Sequence, residues 1–382
     1  MNEIQNTPEL RFEGFAEPWE QKELGKLVDV CNGKDYKHLD KGDIPVYGTG
    51  GYMTSVSEAL SYSEDAIGIG RKGTIDKPYI LRAPFWTVDT LFYAIPKHEV
   101  DLDFALCLFS NINWRSKDES SGVPSLSKQT IDTTQAKIPE FAEQHIIGVF
   151  SHNLASFIAL HQRKYERLQH LKQALLRKMF PKPGEQVPEL RFDGFTEPWE
   201  ERKLGEIGEV KTGNTPSTAN ENYYSKKGTP WITPTDIREN GTYSVNKHLS
   251  TEGMSVAQLA PAGSILCTCI ASIGKNTFTE TTCGFNQQIN ALIPAHDTFD
   301  SYFLFFESAL WSVQMKSNAA SGTMQIVNKT EFSKLEAMIP SLPEQKIIGT
   351  FFSNLDSLIT LHQRKYERLQ HLKQALLRKM FI

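Results

Sequence analysis

The string HQRKYERLQHLKQALLRKMF occurs twice without a change, at 161–180 and 362–381, so the chain must build the same element two times. The repeat extends upstream, where EQHIIGVFSHNLASFIAL (143–160) faces EQKIIGTFFSNLDSLITL (344–361) at the same offset of 201 residues. A second block opens each half. There PELRFEGFAEPWEQKELG (8–25) answers PELRFDGFTEPWEERKLG (188–205) at an offset of 180, which leaves 21 more residues between opener and closer in the second half. The order is opener, variable region, closer, twice over.

At 382 residues, 40% hydrophobic and 23% charged, the chain is long enough for two domains with a core each. The first residues, MNEIQNTPELRF, are polar, and no apolar run approaches bilayer length, so a cytoplasmic location and no membrane partner are expected. Cysteines at 31, 107, 267, 269 and 283 are odd in number and scattered, which argues against a disulfide framework. A net charge of −4 argues mildly against nucleic-acid binding, but the distribution is uneven. Each identical string holds six Lys or Arg and one Glu, while each variable region carries slightly more acids than bases, about −3 apiece.

The closers read as long helices. Residues 143–180 contain no proline and one glycine, Gly148, and apolar residues recur at three- and four-residue steps: Ile147, Phe150, Leu154, Phe157, Leu168, Leu171, Leu175. The second copy runs Ile348, Phe351, Leu355, Leu358, Leu369, Leu372, Leu376. Ser341 followed by Glu344 has capping-box spacing, and Pro181, Pro183 and Gly184 form a stop. At 1.5 Å per residue each helix would be roughly 57 Å long. Polar residues interrupt both seams from His161 and His362 onward. That stretch reads as a solvated flare, as a register lock by two seam histidines, or as a basic face toward phosphate or an acidic partner.

A helix with one apolar stripe must pair, and the matching stripe is its own repeat. The route of the chain makes that pairing intramolecular and antiparallel, with the C-terminus returning near the N-terminus and two heads at opposite ends of a rod. The expected fold class is α+β: two β-rich domains joined by two long antiparallel coiled-coil helices, with a pseudo-two-fold internal repeat. The divisions are 1–142 for the first head, 143–180 for the first helix, 181–187 for a linker, 188–343 for the second head and 344–382 for the second helix. In the first variable region DIPVYGTGGY, AIGIG, YILRA and TLFYAI read as strands, and in the second TPWITPTDI, GSILCTCIA and NQQINALIP do. The two regions read as diverged copies, with Gly68–Gly73 set opposite Ser272–Lys275, TVDTLFYAIPK opposite GFNQQINALIP, and Ser121-Gly122 opposite Ser321-Gly322.

Enzyme readings fail on context. Gly68 to Gly73 spells G-x-G-x-x-G, but TIDKPYILRAPFW follows, which has no helical period, so a dinucleotide site is not expected. Cys267, Cys269 and Cys283 with His296 form a nominal zinc set, yet Cys267 and Cys269 fall on one face of an apolar run and read as small hydrophobes. No metal site and no catalytic residues are assigned. There is no methyltransferase NPPY or DPPY string, no Walker A motif and no nuclease-like carboxylate pair.

TGNTPST (212–218), PWITPTDI (230–237), GFNQQINALIP (284–294) and the closer from IPSLPEQKIIGTFFSNLDSLI through LLRKMF resemble the DNA-specificity subunits of type I restriction-modification systems. The resemblance covers nearly the whole chain. The first half carries NGKDYKHLDKGDIPVYGTGGY (32–52) instead of a TGNTPS-like string, which looks like another variant of the same domain. The resemblance implies two target-recognition domains, each reading one part of a split double-stranded DNA site, on helices that act as spacer and docking surface. It implies two modification subunits and restriction subunits as partners. It also implies no cofactor in this chain, with S-adenosylmethionine, ATP and magnesium on the partners. On residues alone, a protein-interaction scaffold with two heads on a coiled-coil rod stays open as the alternative.

Direct readout needs paired donors and acceptors on a rigid support. Candidates in the first head are Tyr36, Lys37, Tyr47, Tyr52, Arg71 and Lys72. In the second they are Asn214, Thr215, Ser217, Tyr223, Tyr224, Lys226, Lys227, Thr233, Thr235, Asp236, Arg238, Lys275, Gln287 and Gln288. Gln287 and Gln288 lie in a strand-like run, so at most one should face outward. DNA rises about 3.4 Å per base pair, so a helix of roughly 57 Å limits the separation of the two readings to about 17 pairs. Inserting four residues near Leu168, about 6 Å of helix, should therefore lengthen the unspecified spacer by about two base pairs. Methylation mapping that returned an unchanged spacer would refute this ruler.

Overall fold

The computed structural model describes residues 7–320 and 326–382, with side chains omitted for 318–320; Ser321-Gly322 of the sequence comparison lie outside the described residues. The chain divides into two compact units, one formed by residues up to Arg163 together with His362–Ile382, the other by Lys164–Leu361. Both divisions fall inside long helices, Phe141–Met179 and Leu342–Met380. Each unit is thus a head plus a half of each helix.

In the first unit the opener contributes strand Glu20–Glu23, which pairs antiparallel with Gln135–Ile138 just before the first long helix. Four antiparallel strands follow in the order Val28–Asn32, Leu91–Pro96, Ala66–Gly70, Tyr79–Leu81. Every residue of Ala66–Gly70 is buried. One of its faces meets Phe104, Phe109 and Trp114, and the other meets Leu81, Phe85 and Tyr93. Beside this sheet lies a smaller one, with Ile44–Gly48 paired antiparallel to Gly51–Val56 and parallel to Trp86–Thr87. The second unit repeats the plan. Glu200–Lys203 pairs with Glu336–Ile339, and the four-stranded order is Gly208–Thr212, Ile289–Pro294, Ile265–Thr268, Asn276–Phe278. Its second sheet has five strands, among them Thr229–Ile232 parallel to Cys283–Phe285. Each expected run contains a strand, but TPWITPTDI is one only over Thr229–Ile232 and NQQINALIP only over Ile289–Pro294. The turn Arg71–Gly73 after Ala66–Gly70 leads to strand Tyr79–Leu81, not to a helix.

The sheet registers correct two alignments. Pro96 pairs with Val28 as Pro294 pairs with Gly208, so TVDTLFYAIPK and GFNQQINALIP correspond one residue away from the match made on sequence, with Asp89 opposite Gln287. Ile67 pairs with Ala94 and Ile265 with Leu292, so Gly68 corresponds to Leu266. Ser272–Lys275 instead lies in the connection after strand Ile265–Thr268, which is shorter than its counterpart after Gly70. Glycine spacing had matched two unlike turns.

The seam of the long helices is also displaced from the apolar count. In the first unit it runs Ile147, Ser151, Leu154, Ile158, His161 on one helix and His362, Tyr366, Leu369, Lys373, Leu376, Met380 on the other. In the second it runs Tyr165, Leu168, Lys172, Leu175, Met179 against Ile348, Phe352, Leu355, Ile359. The steps alternate four and three, as a heptad requires. Phe157, Leu171, Leu358 and Leu372, expected in the seam, are exposed at 56%, 46%, 47% and 45%. On the first helix Ser151, a buried polar residue whose hydroxyl accepts from the Cys107 thiol at 2.9 Å, holds the place expected for Phe150, and Lys172 and Lys373 hold those expected for Leu171 and Leu372. Counting only apolar residues skips these three polar positions, and on the second helix it takes Phe351 and Leu358 where the seam holds their neighbours Phe352 and Ile359.

Both histidines do lie in the seam, with His161 Nδ1 and His362 Nδ1 2.9 Å apart, so one ring must carry the shared proton. In the second unit Lys172 reaches across to Asp356 at 2.6 Å. The halves run antiparallel in each unit: 172 meets 356 and Phe180 meets Phe352 in the second, while in the first His161 meets His362 and Ile147 shares a cluster with Met380.

Glu344 does not form the expected cap. Fully buried, it takes Arg191 in a bidentate pair at 2.8 Å, as Glu143 takes Arg11 at 2.7 Å. The opener also ties to the end of a closer: Leu10 N–H donates to Lys379 O, and Leu190 N–H to Lys178 O. The expected return of the C-terminus to the opener is thereby observed.

Gly148 explains itself here. A Cβ at this position would overlap the Asp101 carboxylate that caps helix Leu102–Asn111, and Gly349 faces Asp300 in the same way. Gly→Ala in an open helix gains up to about 1 kcal/mol. G148A and G349A should each instead lose about 1–3 kcal/mol from this overlap, as measured by urea unfolding.

Candidate nucleic-acid interface

Register defines one end of each central sheet. In the first unit Asn32 faces Phe92, and Gly70 faces Leu91. The candidates gather off this end. Arg71 and Lys72 donate their amides to Thr90 O at 2.8 and 3.2 Å, and Arg71 Nη1 donates to Asp89 O at 3.3 Å. Arg71 also lies over the Phe92 ring, 5.8 Å from its centroid. Tyr47 accepts from Val88 N at 3.0 Å through its carbonyl, and its ring contacts Tyr52 and Tyr79. Burial pushes the Tyr79 hydroxyl up, and that hydroxyl donates to Gly48 O at 2.6 Å, pinning the hairpin to the sheet. Tyr52 is 63% exposed, Lys37 is exposed, and Tyr36 is half-buried against the smaller sheet.

In the second unit the same end is marked by Thr212 facing Asn290 and Thr268 facing Ile289. Several candidates there are taken up by the framework. Asn214 donates to Val256 O at 2.8 Å and accepts from Gln258 N at 2.6 Å, holding segment 256–258. Thr215 Oγ1 donates to Gln287 Oε1 at 2.5 Å. Asp236 accepts from the amide and hydroxyl of Thr233, and Thr233 also bonds the Thr235 hydroxyl, so these three close their own turn. Tyr224, its phenol pushed up by burial, donates to Pro216 O and sets its ring edge-on to Trp231. Lys275 pairs with Glu239 at 3.2 Å, and Tyr223 is half-buried. Ser217, Lys226, Lys227, Thr235 and Arg238 remain exposed.

Gln287 and Gln288 form a turn before strand Ile289–Pro294, not a strand; Gln287 is exposed and Gln288 half-exposed, so both reach the surface. Gln288 also lines a concavity of about 370 Å³ with Trp231, Thr233, Thr235, Asp236, Asn246 and Lys247. Asn246 and Lys247 were missed from sequence. Lys247 Nζ stands 5.9 Å from the Trp231 ring and 6.0 Å from Tyr224, a cation–π placement that holds the charge at the rim. Its local string, SVNKHLS, gives no signal for this.

Chemically the end of each sheet offers cations, amides and hydroxyls on a hydrogen-bonded support, the set that base and phosphate contact require. Cys267, Cys269 and Cys283 are buried among apolar side chains, with the Cys269 and Cys283 thiols pushed up to about 12 by burial. Thiols held protonated in this way act as core residues. The framework role separates two classes of candidate: N214A should cost about 1 kcal/mol or somewhat more, because it removes two hydrogen bonds that hold segment 256–258. K227A should stay within about 0.5 kcal/mol; chemical denaturation of both variants checks the contrast.

The profile of the type I restriction modification DNA specificity domain matches residues 16–170 and 196–371. The chain is 27% identical over 190 residues to the type I restriction enzyme MjaIX specificity subunit of Methanocaldococcus jannaschii, covering 48% of this chain and 44% of that protein. It is 28% identical over 189 residues to the HindI specificity subunit of Haemophilus influenzae, covering 47% and 40%. Both alignments span less than half of the relative's length. The fold is similar to that of the crystal structure of a type I restriction-modification S subunit from M. genitalium, with a TM-score of 0.67, 15% identity, and 98% and 99% of the two chains covered. With two copies of the domain over most of its length, the chain belongs to the family of type I restriction modification DNA specificity domains.

Proposed function

We propose that the chain is a sequence-specific DNA-recognition subunit that reads a bipartite, asymmetric site and directs methylation and restriction by partner subunits. One observation carries this reading: the two units share the same four-stranded central sheet and strand order, and differ in the side chains at the same sheet end. Equal frames give two similar approaches to a duplex, while unlike tips give two different sequences. A scaffold binding proteins would not need that combination.

The subunit is itself non-catalytic. S-adenosylmethionine, ATP and magnesium belong to the partners, and the working compartment is the cytoplasm. Two modification subunits dock on the helices, and restriction subunits join that assembly. Exposed apolar residues of the two long helices support docking. In the first unit Ile146, Val149, Phe157, Leu160 and Leu372 are exposed, and in the second Leu171, Ile347, Leu358 and Leu361. Apolar patches that repeat in this way suit a repeated partner.

Variable regions with about three more acids than bases each gain little affinity from phosphate neutralisation. The lone chain should therefore bind its duplex weakly and the complex with modification subunits tightly, compared by gel shift at one salt concentration. Equal affinities would refute it.

A further inference from the structure

Three matched hydrogen bonds make the turn at 88–90 of the first head the counterpart of the turn at 286–288 in the second. Val88 N–H donates to Tyr47 O as Asn286 N–H does to Ile232 O, both at 3.0 Å. Thr90 O accepts from Arg71 N as Gln288 O accepts from Cys269 N, both at 2.8 Å. Leu91 N–H closes onto Val88 O at 2.9 Å, and Ile289 N–H onto Asn286 O at 3.1 Å. Asp89 thus takes the place of Gln287 and Thr90 that of Gln288, with the same exposed and half-exposed pattern.

The chemistry at this shared place is opposite in the two heads. Asp89 is exposed and offers a carboxylate, an acceptor only. Gln287 has its carbonyl oxygen occupied by Thr215, and Gln288 has its own approached by Asn286 Nδ2 at 3.3 Å, so both present amide N–H donors outward. We infer that this turn determines specificity in both heads. Asp89 takes a base edge bearing an exocyclic amino group, cytosine N4 first among them, and Gln287 takes an edge of acceptors such as guanine O6 and N7 or thymine O4. Arg71, bound to the same turn through its amide and Nη1, places a cation beside Asp89 and limits the cost of a carboxylate near phosphates.

The inference rests on the DNA-recognition reading, and the test separates the two. The full chain is co-expressed with the methyltransferase subunit of its own system, and methylated genomic motifs are mapped for wild type, Asp89→Asn and Gln287→Glu. Asp89→Asn should change or relax one position in one part of the site, with discrimination falling on the order of 10- to 100-fold. Gln287→Glu should do so in the other part, and the spacer should stay the same. An unchanged motif in both variants, or changes confined to the same part, would overturn the inference. So would a uniform loss of methylation without a shifted motif, since a reading residue alters which sites are used. A wild-type complex that methylates without any two-part motif would instead sink the DNA-recognition reading itself.

Discussion

Each head is closed by a residue from the far end of the identical string, and the rest of the structure depends on that closure. In the first unit the Phe381 ring stacks on Phe104 at 5.5 Å and meets Trp19 edge-on at 5.7 Å. In the second, Phe180 stacks on Phe303 at 5.6 Å and meets Trp199 at 5.9 Å. Aromatic contacts of this kind contribute roughly 0.5–1.5 kcal/mol beyond their buried area. Their larger effect is topological. A head cannot complete its core until the helix that begins in the other half of the sequence has arrived, so folding of heads and helices is coupled.

The opener makes the closure specific. Arg11 and Arg191 insert between strand and helix and meet fully buried carboxylates, Glu143 and Glu344. Such pairs add little net stability against an apolar substitute, but losing one partner costs about 3–5 kcal/mol. They therefore act as address labels: PELRF at the start of a half finds the start of a long helix and the end of a returning one at once. The seam histidines add a second label. With His161 and His362 sharing one proton, a slip of the helices by one heptad would bury each ring against a partner that cannot share it.

Upon that frame the two heads diverge without disturbing it. The central sheets keep the same strand order, whereas the smaller sheet has three strands in the first head and five in the second. Most of the additional material lies around 213–256, where Asn214, Thr215 and Asp236 are spent on internal hydrogen bonds that hold the longer loops. Asn214, Thr215 and Asp236 thus act as supports, while Lys247 and Gln288 line the concavity at the sheet end. A larger tip needs more internal polar contacts to stay rigid, because its loops have no core of their own beyond a small cluster around Ile232, Leu266 and Phe285.

By itself the sequence determined whatever repeats or alternates: the duplicated architecture, the two long helices, the strands and the family. Those follow from periodicity, which is local and survives without knowledge of partners. It misjudged the seam partly because polar residues hold seam positions through distant partners, Ser151 through Cys107, 44 positions away, and Lys172 through Asp356. It gave Glu344 a capping role because Arg191 is distant in the chain. It matched the wrong glycine turns, and it did not register Asn246, Lys247 or Asp89. Only the tertiary structure decided these, since a polar side chain acquires its role from whichever partner the fold brings within hydrogen-bond reach, and that partner lies elsewhere in the chain.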